Sequence, residues 1–287
     1  MKIIDNILTS RHPGQIPELE NRLKEVRKHL IKIPNLVISK GKEFLHLGHS
    51  LKYIESIKNA SKKTGFFYEV NFSPETYEVA TAGVGASILG AENEAFVLTR
   101  PPGHHAGYNL PDEKIGLGYC VFNNMAIASK YLRNKGKKVF VLDIDLHYGN
   151  GTQDILKNEE GIYVFDISRE GGWPWQENFY ENCFNLKLKN GTKDEGYINA
   201  LEQVLIPKLK EFQPDIIGIS AGFDTSKKNV DYLKNLNDPD SGNQFELTQE
   251  SYKKVKEIVR EYPHFAILEG GYSPQSISEG VRIFTEN

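Results

Sequence analysis

Short apolar runs alternate with amphipathic stretches along the chain, and this alternation predicts the order of its secondary structure. Five runs rich in β-branched or aromatic residues have the length of buried strands and lie between turn residues. Five other stretches carry apolar residues at helical spacing. The predicted strands are 95–99, 138–144, 161–168, 215–220 and 265–269, and the predicted helices are 18–30, 74–89, 123–133, 197–212 and 248–262. Continuous apolar strands separated by helices indicate an α/β fold of three α/β/α layers around a mostly parallel sheet.

Polar clusters follow four of the predicted strands. Residues 100–106 are RPPGHHA, 143–151 are DIDLHYGNG, 221–224 are AGFD and 269–272 are EGGY. In open parallel sheets, ligands bind outside the carboxyl ends of the strands. We therefore expect the four clusters to meet in one crevice.

The second and third clusters contain candidate metal ligands. Asp143, Asp145 and His147 alternate in sequence, so an extended strand presents them on one face. Alternate Cα atoms are roughly 6.6 Å apart, a gap that two side chains can bridge to one ion. With Asp224, two carboxylates and one imidazole would leave a position open for water, as catalytic zinc requires. A solvated strand-end loop is the alternative, but unpaired carboxylates in an apolar strand are costly, which favours a metal.

The first and fourth clusters contain candidate proton-transfer groups. His104 and His105 follow a glycine and two prolines, which predict a rigid loop. One neutral imidazole can accept a proton from water, and a second can stabilise developing charge. Tyr272 follows two glycines that allow a sharp turn, which can present its phenol to a substrate carbonyl oxygen. Taken alone, the histidine pair is more often part of a surface loop, and a tyrosine after two glycines more often an ordinary turn residue.

Composition limits the classes of protein that the chain can represent. It has 287 residues, 39% hydrophobic and 25% charged, which is typical of a globular protein, and we expect one domain over 1–287. The net charge of −3 gives no general basic surface for direct nucleic-acid binding. Only two cysteines, Cys120 and Cys183, argue against a disulfide scaffold or a cysteine zinc site. No apolar run approaches membrane-spanning length, so we expect a cytoplasmic protein that does not bind membranes.

The four clusters in this order resemble the histone deacetylase superfamily, which includes the acetylpolyamine amidohydrolases. The resemblance runs from His12 to Tyr272, and Asn150 followed by Gly151 is similar to class II and prokaryotic members. It implies the arginase/deacetylase-like fold and hydrolysis of the acetamide of an acetylated polyamine or acetyl-lysine. The resemblance implies these site residues: Asp145, His147 and Asp224 as metal ligands; His104, His105, Asp143, Asn150 and Tyr272 in catalysis; Gly118, Tyr119 and Trp173 in the substrate channel; Asp143, Asp145, His147 and Ser168 around a monovalent cation.

The resemblance also implies the cofactors. Zn²⁺ is the expected catalytic ion, with Fe²⁺ as an alternative, and K⁺ is the expected structural ion. Tyr148 and Glu269 depart from many members of the superfamily, and the long segment 225–246 is a candidate pocket rim with Asp240 as its candidate acidic residue. Two other functions stay open at this point: a non-catalytic module that binds acyl-lysine or a polyamine, and an arginase-type ureohydrolase. The sequence does not predict the oligomeric state.

Overall fold

A seven-stranded parallel sheet forms the centre of the molecule. The computed structural model describes residues 1–14, 20–29, 41–175, 179–242 and 244–286. The strand order is β1-β4-β9-β8-β5-β6-β7, and β2 and β3 form a separate antiparallel hairpin. The strands are β1 Lys2–Asp5, β2 Gly65–Phe67, β3 Val70–Phe72, β4 Ala95–Leu98, β5 Val139–Asp143, β6 Ile162–Arg169, β7 Cys183–Leu188, β8 Ile216–Ala221 and β9 His264–Leu268.

Helices cover both faces of this sheet. A π-helical segment, Leu201–Leu205, joins α6 to α7. Short 3₁₀ helices lie at Ile7–Arg11, Glu20–Leu23, Gly41–Leu47 and Pro239–Gly242. The α-helices are α1 Lys24–His29, α2 Leu51–Ala60, α3 Thr76–Asn93, α4 Asn124–Asn134, α5 Asn150–Leu156, α6 Asp194–Ala200, α7 Ile206–Phe212, α8 Lys227–Asn235, α9 Gln249–Val259 and α10 Pro274–Thr285. None of the helices in the described ranges is long and apolar enough to cross a membrane.

The alternation of side chains along each strand produces the three layers. On β5, Phe140 and Leu142 belong to one apolar cluster, with residues of α1, α6, α7, α9 and α10. Val139 and Val141 belong to a second cluster, with residues of α3, α4 and α5. Successive strand residues point to opposite faces, so a strand that is apolar throughout is covered on both sides. The predicted three-layer α/β/α fold is therefore confirmed.

Each of the five predicted strands is present, with both ends within one residue of its predicted bounds. The helix predicted at 123–133 is α4, and the Asn123 side chain caps it by accepting a hydrogen bond from the Ala126 amide at 2.9 Å. The helix predicted at 197–212 starts earlier, at Asp194, and contains the π segment. The prediction missed β1, the β2–β3 hairpin, β7 and the helices α2, α5, α8 and α10.

The sheet order brings the four polar clusters together. Strands β4, β9, β8 and β5 are consecutive neighbours in the sheet. Because these strands are parallel, their carboxyl ends lie at the same edge. The segments that follow them therefore meet at one place, as the sequence predicts.

Candidate metal and catalytic site

Three ligand-type side chains converge at the carboxyl edge of the sheet. Asp145 and His147 follow β5, and Asp224 follows β8. One ligand atom from each lies within 4.8 Å of the others, and this is the one group of three or more such side chains in the described ranges. His147 Nδ1 is 3.0 Å from Asp224 Oδ2 and 3.3 Å from Asp145 Oδ1. Two carboxylates and one imidazole form a donor set that fits Zn²⁺ or another first-row divalent ion.

Glycines let the backbone approach these carboxylates closely. A Cβ at Gly270 would lie 2.4 Å from Asp145 Oδ2 and 2.7 Å from Asp224 Oδ2. A Cβ at Gly222 would lie 2.1 Å from Asp145 Oδ2. The Gly270 amide donates a hydrogen bond to Asp145 Oδ2 at 2.8 Å. The two glycines therefore form a cradle around the acids. Any larger residue at Gly222 or Gly270 would place its side chain where the carboxylates lie.

Burial and mutual repulsion govern the charge of the two acids. Asp145 and Asp224 are 1% and 0% exposed. Burial opposes ionisation of Asp145, but the neighbouring His104 and His147 outweigh it and hold its pKa far below the usual range. Burial, followed by the charge of Asp145, raises the pKa of Asp224. A cation between the acids would relieve this repulsion.

The tandem histidines are held by different partners. His104 Nδ1 lies 3.2 Å from Asp143 Oδ2. His105 Nδ1 donates to Asn150 Oδ1 at 2.8 Å, which leaves Nε2 as the acceptor nitrogen of a neutral ring. Both rings are buried, with centroids 3.9 Å apart. The predicted pairs His104–Asp143 and His105–Asn150 are thus in contact.

The two histidines differ in charge because their neighbours differ. Burial opposes a positive charge on His104, but the carboxylates of Asp145 and Asp143 outweigh it and raise its pKa to about 10. Burial lowers the pKa of His105 well below its ordinary value, and the nearby His104 and His147 lower it further. The neighbouring carboxylates therefore favour the charged form of His104, whereas burial favours the neutral form of His105.

A cavity of about 750 Å³ opens above these groups. Its wall includes the three predicted channel residues, Gly118, Tyr119 and Trp173, as well as Tyr272. The Trp173 ring stands edge-on to His105 at 4.3 Å, and Tyr119 stands edge-on to Tyr272 at 5.9 Å. These aromatic side chains give the cavity an apolar wall beside the ligand cluster.

Tyr272 is anchored by residues that the sequence interpretation missed. Asn229 Oδ1 accepts hydrogen bonds from the Tyr272 amide at 2.7 Å and the Ser273 amide at 3.1 Å. The buried Arg22 guanidinium lies 5.4 Å from the Tyr272 ring centroid and donates to the Gly271 carbonyl at 2.9 Å. These partners come from distant parts of the chain, and no local motif marks them.

Glu269 fixes the loop that carries the tandem histidines. Its Oε2 accepts hydrogen bonds from the Gly103 amide at 2.7 Å and the His104 amide at 3.1 Å. The side chain is 0% exposed, and burial raises its pKa. The sequence marked this residue only as a departure from the glycine of some superfamily members.

Two further segments line the cavity. Segment 225–246 contributes Leu233, Asp238 and Gln244, and the β2–β3 hairpin contributes Phe66 and Glu69. Two carboxylates, Glu69 and Asp238, are therefore part of the cavity wall. The candidate acidic residue Asp240 has its side chain outside the described residues.

The surroundings of Ser168, a predicted ligand of a monovalent cation, include residues that were not predicted. The Ser168 hydroxyl donates to Asp166 Oδ1 at 2.5 Å. The same hydroxyl accepts a hydrogen bond from Lys187 Nζ at 2.8 Å. The K⁺ ion stays a prediction.

Comparisons with known proteins agree with this architecture. The model of the histone deacetylase domain matches residues 12–287. An uncharacterized protein from Methanocaldococcus jannaschii is 31% identical over 262 residues, covering 83% of this chain and 72% of the relative. A probable deacetylase from Archaeoglobus fulgidus is 30% identical over 250 residues, covering 78% of this chain and 65% of the relative.

Two further similarities extend the comparison. A histone deacetylase-like amidohydrolase from Pseudomonas aeruginosa is 29% identical over 252 residues, covering 78% of this chain and 62% of that protein. The crystal structure of the HD domain of HDA15 superposes with a TM-score of 0.84 at 24% identity, covering 99% of this chain and 89% of that domain. The superposition shows that the two chains share a fold.

Proposed function

This chain belongs to the histone deacetylase family, and we propose that it is a metal-dependent amidohydrolase that removes the acetyl group from an acetylated polyamine or acetyl-lysine. The observation that carries the proposal is the cluster of Asp145, His147 and Asp224 beside two oriented histidines in one cavity. Zn²⁺ is the proposed ion, with Fe²⁺ as the alternative, since the donor set suits both.

The three proposed ligands would hold the ion at the base of the cavity. When bound, the ion would polarise the acetamide carbonyl and make a water molecule more acidic. The cradle of Gly222 and Gly270 supports this assignment, because it keeps the carboxylates packed against backbone and oriented towards one point.

The proton-transfer groups follow from the two histidine pairs. His105 Nε2 is free to accept the proton of the attacking water, because Nδ1–H is held by Asn150. His104 is paired with Asp143 through Nδ1, and the nearby carboxylates favour its charged form. The His104 ring would therefore stabilise negative charge that develops in the site. The leaving amine then takes a proton from His105 or His104.

Tyr272 would stabilise the oxyanion that forms on the acetyl carbonyl. Burial raises the pKa of Tyr272 well above its ordinary value, so its hydroxyl keeps the proton that it donates. Removing one such donor lowers turnover by about 10²–10³-fold.

Two carboxylates of the cavity wall favour a substrate with a second positive charge. Glu69 and Asp238 line the cavity, and the proposal places the far end of a linear acetylated amine beside them. A carboxylate there attracts the free ammonium of an acetylpolyamine, whereas a neutral acetamide gains nothing from it. An exposed pair of this kind contributes about two- to fivefold in affinity.

Acetate release by the purified, metal-loaded protein tests the proposal. The substrates are acetylputrescine, acetylspermidine, acetyl-lysine peptides and N-butylacetamide, which lacks the second charge. We expect Tyr272→Phe to lose about 10²–10³-fold in turnover with metal content unchanged, and Tyr163→Phe, a change on β6 away from the cavity wall, to match the parent. Metal binding without acetate release from any substrate would contradict the proposal and favour a binding module.

The same assay tests the proposed polyamine preference. Asp238→Asn should raise KM for acetylputrescine about two- to fivefold and leave N-butylacetamide unchanged. Glu246→Gln is the matched control, because this carboxylate belongs to the same segment but is not among the residues that line the cavity. An equal effect of Asp238→Asn on both substrates would refute the role of the acidic wall, while the deacetylase proposal would stand.

A further inference from the structure

Two buried carboxylates lie side by side behind His104. The sheet register places Asp143 of β5 beside Asp166 of β6. Each is 1% exposed. A Cβ at Gly149 would lie 2.6 Å from Asp143 Oδ2 and 3.4 Å from Asp166 Oδ2, so both acids face the same point of the backbone. Two like charges in a buried site need a cation to compensate them.

A lysine reaches this pair through one hydroxyl group. The register of β6 and β7 places Ser168 beside Lys187. Lys187 Nζ donates to Ser168 Oγ at 2.8 Å, and Ser168 Oγ donates to Asp166 Oδ1 at 2.5 Å. The other oxygen of Asp166 accepts a hydrogen bond from the Gly149 amide at 2.8 Å. The ammonium is therefore linked to the acid pair by a continuous chain of hydrogen bonds.

An aromatic ring also stabilises the ammonium in this position. Lys187 Nζ lies 4.2 Å from the centroid of the Tyr148 ring, within the range of a cation–π contact. The side chain is half-buried, so its charge is partly withdrawn from water. Tyr148 is one of the positions at which this chain departs from many members of the superfamily, and here it contacts the lysine.

These contacts do not fit the monovalent cation that the family resemblance implies at Ser168. The hydroxyl already donates to Asp166 and accepts from Lys187. An alkali ion bound to the same oxygen would be repelled by the Lys187 ammonium, which lies 2.8 Å from that oxygen. We propose that the Lys187 ammonium is the resident counter-cation of the Asp166–Asp143 pair and replaces a monovalent metal ion there.

Thermal unfolding of the full chain tests this proposal without reference to activity. The parent protein should have the same Tm in potassium chloride and in tetramethylammonium chloride at equal ionic strength. Lys187→Met should lower Tm by at least about 4 °C, since it leaves a buried acid without its counter-charge. Lys187→Arg should recover most of this loss, and Lys189→Met, which removes an exposed lysine next to the same strand, should change nothing.

A second substitution separates the loss of charge from the loss of packing. Asp166→Asn removes one of the two like charges, so Lys187→Met combined with Asp166→Asn should regain at least half of the Tm lost by Lys187→Met alone. Additive losses in the double variant would overturn the proposal, because a side chain that acts only by packing gains nothing from neutralising Asp166. A fall in the Tm of the parent protein when potassium is removed would also overturn it.

Discussion

Replacing Gly118 with alanine should introduce a methyl group into the proposed substrate channel, between two aromatic rings of its wall. A Cβ there would lie 2.3 Å from Trp173 Cη2 and 2.6 Å from His105 Cδ2. Ordinary contact begins at 3.4 Å, so the two rings would have to move by 1.1 Å and 0.8 Å. Each ring is held by a hydrogen bond, Trp173 Nε1 to the Ile115 carbonyl at 2.6 Å and His105 Nδ1 to Asn150 Oδ1 at 2.8 Å. Relief of the second contact would therefore displace His105, the proposed proton acceptor, from the position in which Asn150 holds it.

A displacement of about 1 Å in a reacting group can cost on the order of 10²-fold in rate. We therefore expect Gly118→Ala to lower kcat/KM for acetate release about 100-fold while metal content is unchanged. The substitution also places alanine at a φ of +51°, which by itself costs about 1–2 kcal/mol of stability.

A matched substitution separates steric contact from backbone strain. Gly191 has a φ of +78° with nothing within 4 Å of an added Cβ, so Gly191→Ala introduces the strain alone. Steady-state kinetics of both variants, with urea unfolding as the stability measurement, would distinguish the two effects. Equal kcat/KM in Gly118→Ala and Gly191→Ala would refute the steric argument.

Two further predictions concern stability. Burial lowers the pKa of His49 from its ordinary value of 6.5 to about 4. The neutral ring therefore contributes its full stabilisation above pH 6.5. This contribution to the free energy of unfolding, at most about 3 kcal/mol, is lost as the pH falls from 6.5 towards 4. Urea unfolding at pH 7 and pH 5 should show a smaller pH dependence for His49→Gln than for the parent, and equal slopes would contradict this. Glu269→Ala leaves the buried Gly103 and His104 amides without their acceptor. Each amide without a partner should lower the free energy of unfolding by roughly 1–3 kcal/mol. Glu269→Gln keeps an acceptor oxygen and should lose less. Equal losses of unfolding free energy in the two variants would show that the hydrogen bonds contribute little.

The sequence predicted the parts of the site that lie on continuous stretches of chain. Asp145 and His147 follow an apolar strand at alternate positions, and His104 and His105 follow another, so strand ends and spacing marked them directly. Their convergence required only that the strands be parallel, because the carboxyl ends of such strands share an edge.

The missed elements have weak local patterns. Strand β7 is an edge strand, half-buried along its length, so it lacks a continuous apolar run. Helix α8 has four charged residues among nine and lies in the segment 225–246, which the sequence marks only as a candidate pocket rim. Short or polar segments of this kind are stabilised by tertiary packing more than by their own pattern.

The missed site contacts depend on how distant elements pack. Lys187 reaches Ser168 only because β7 pairs with β6 in one particular register. Arg22 reaches the Gly271 carbonyl across 249 positions of the chain. No spacing rule along the sequence encodes such contacts, since they arise when the sheet and its covering helices assemble.

The metal requirement of acetate release tests the central claim most directly. The protein is stripped with a chelator, and Zn²⁺ or Fe²⁺ is then added in known amounts while acetate release is followed. With Asp145, His147 and Asp224 as the ligands, activity should be absent without metal and rise linearly to a maximum at one equivalent per chain. Full activity in the stripped protein, or a maximum only at two equivalents as for an arginase-type ureohydrolase, would contradict the proposed mononuclear site.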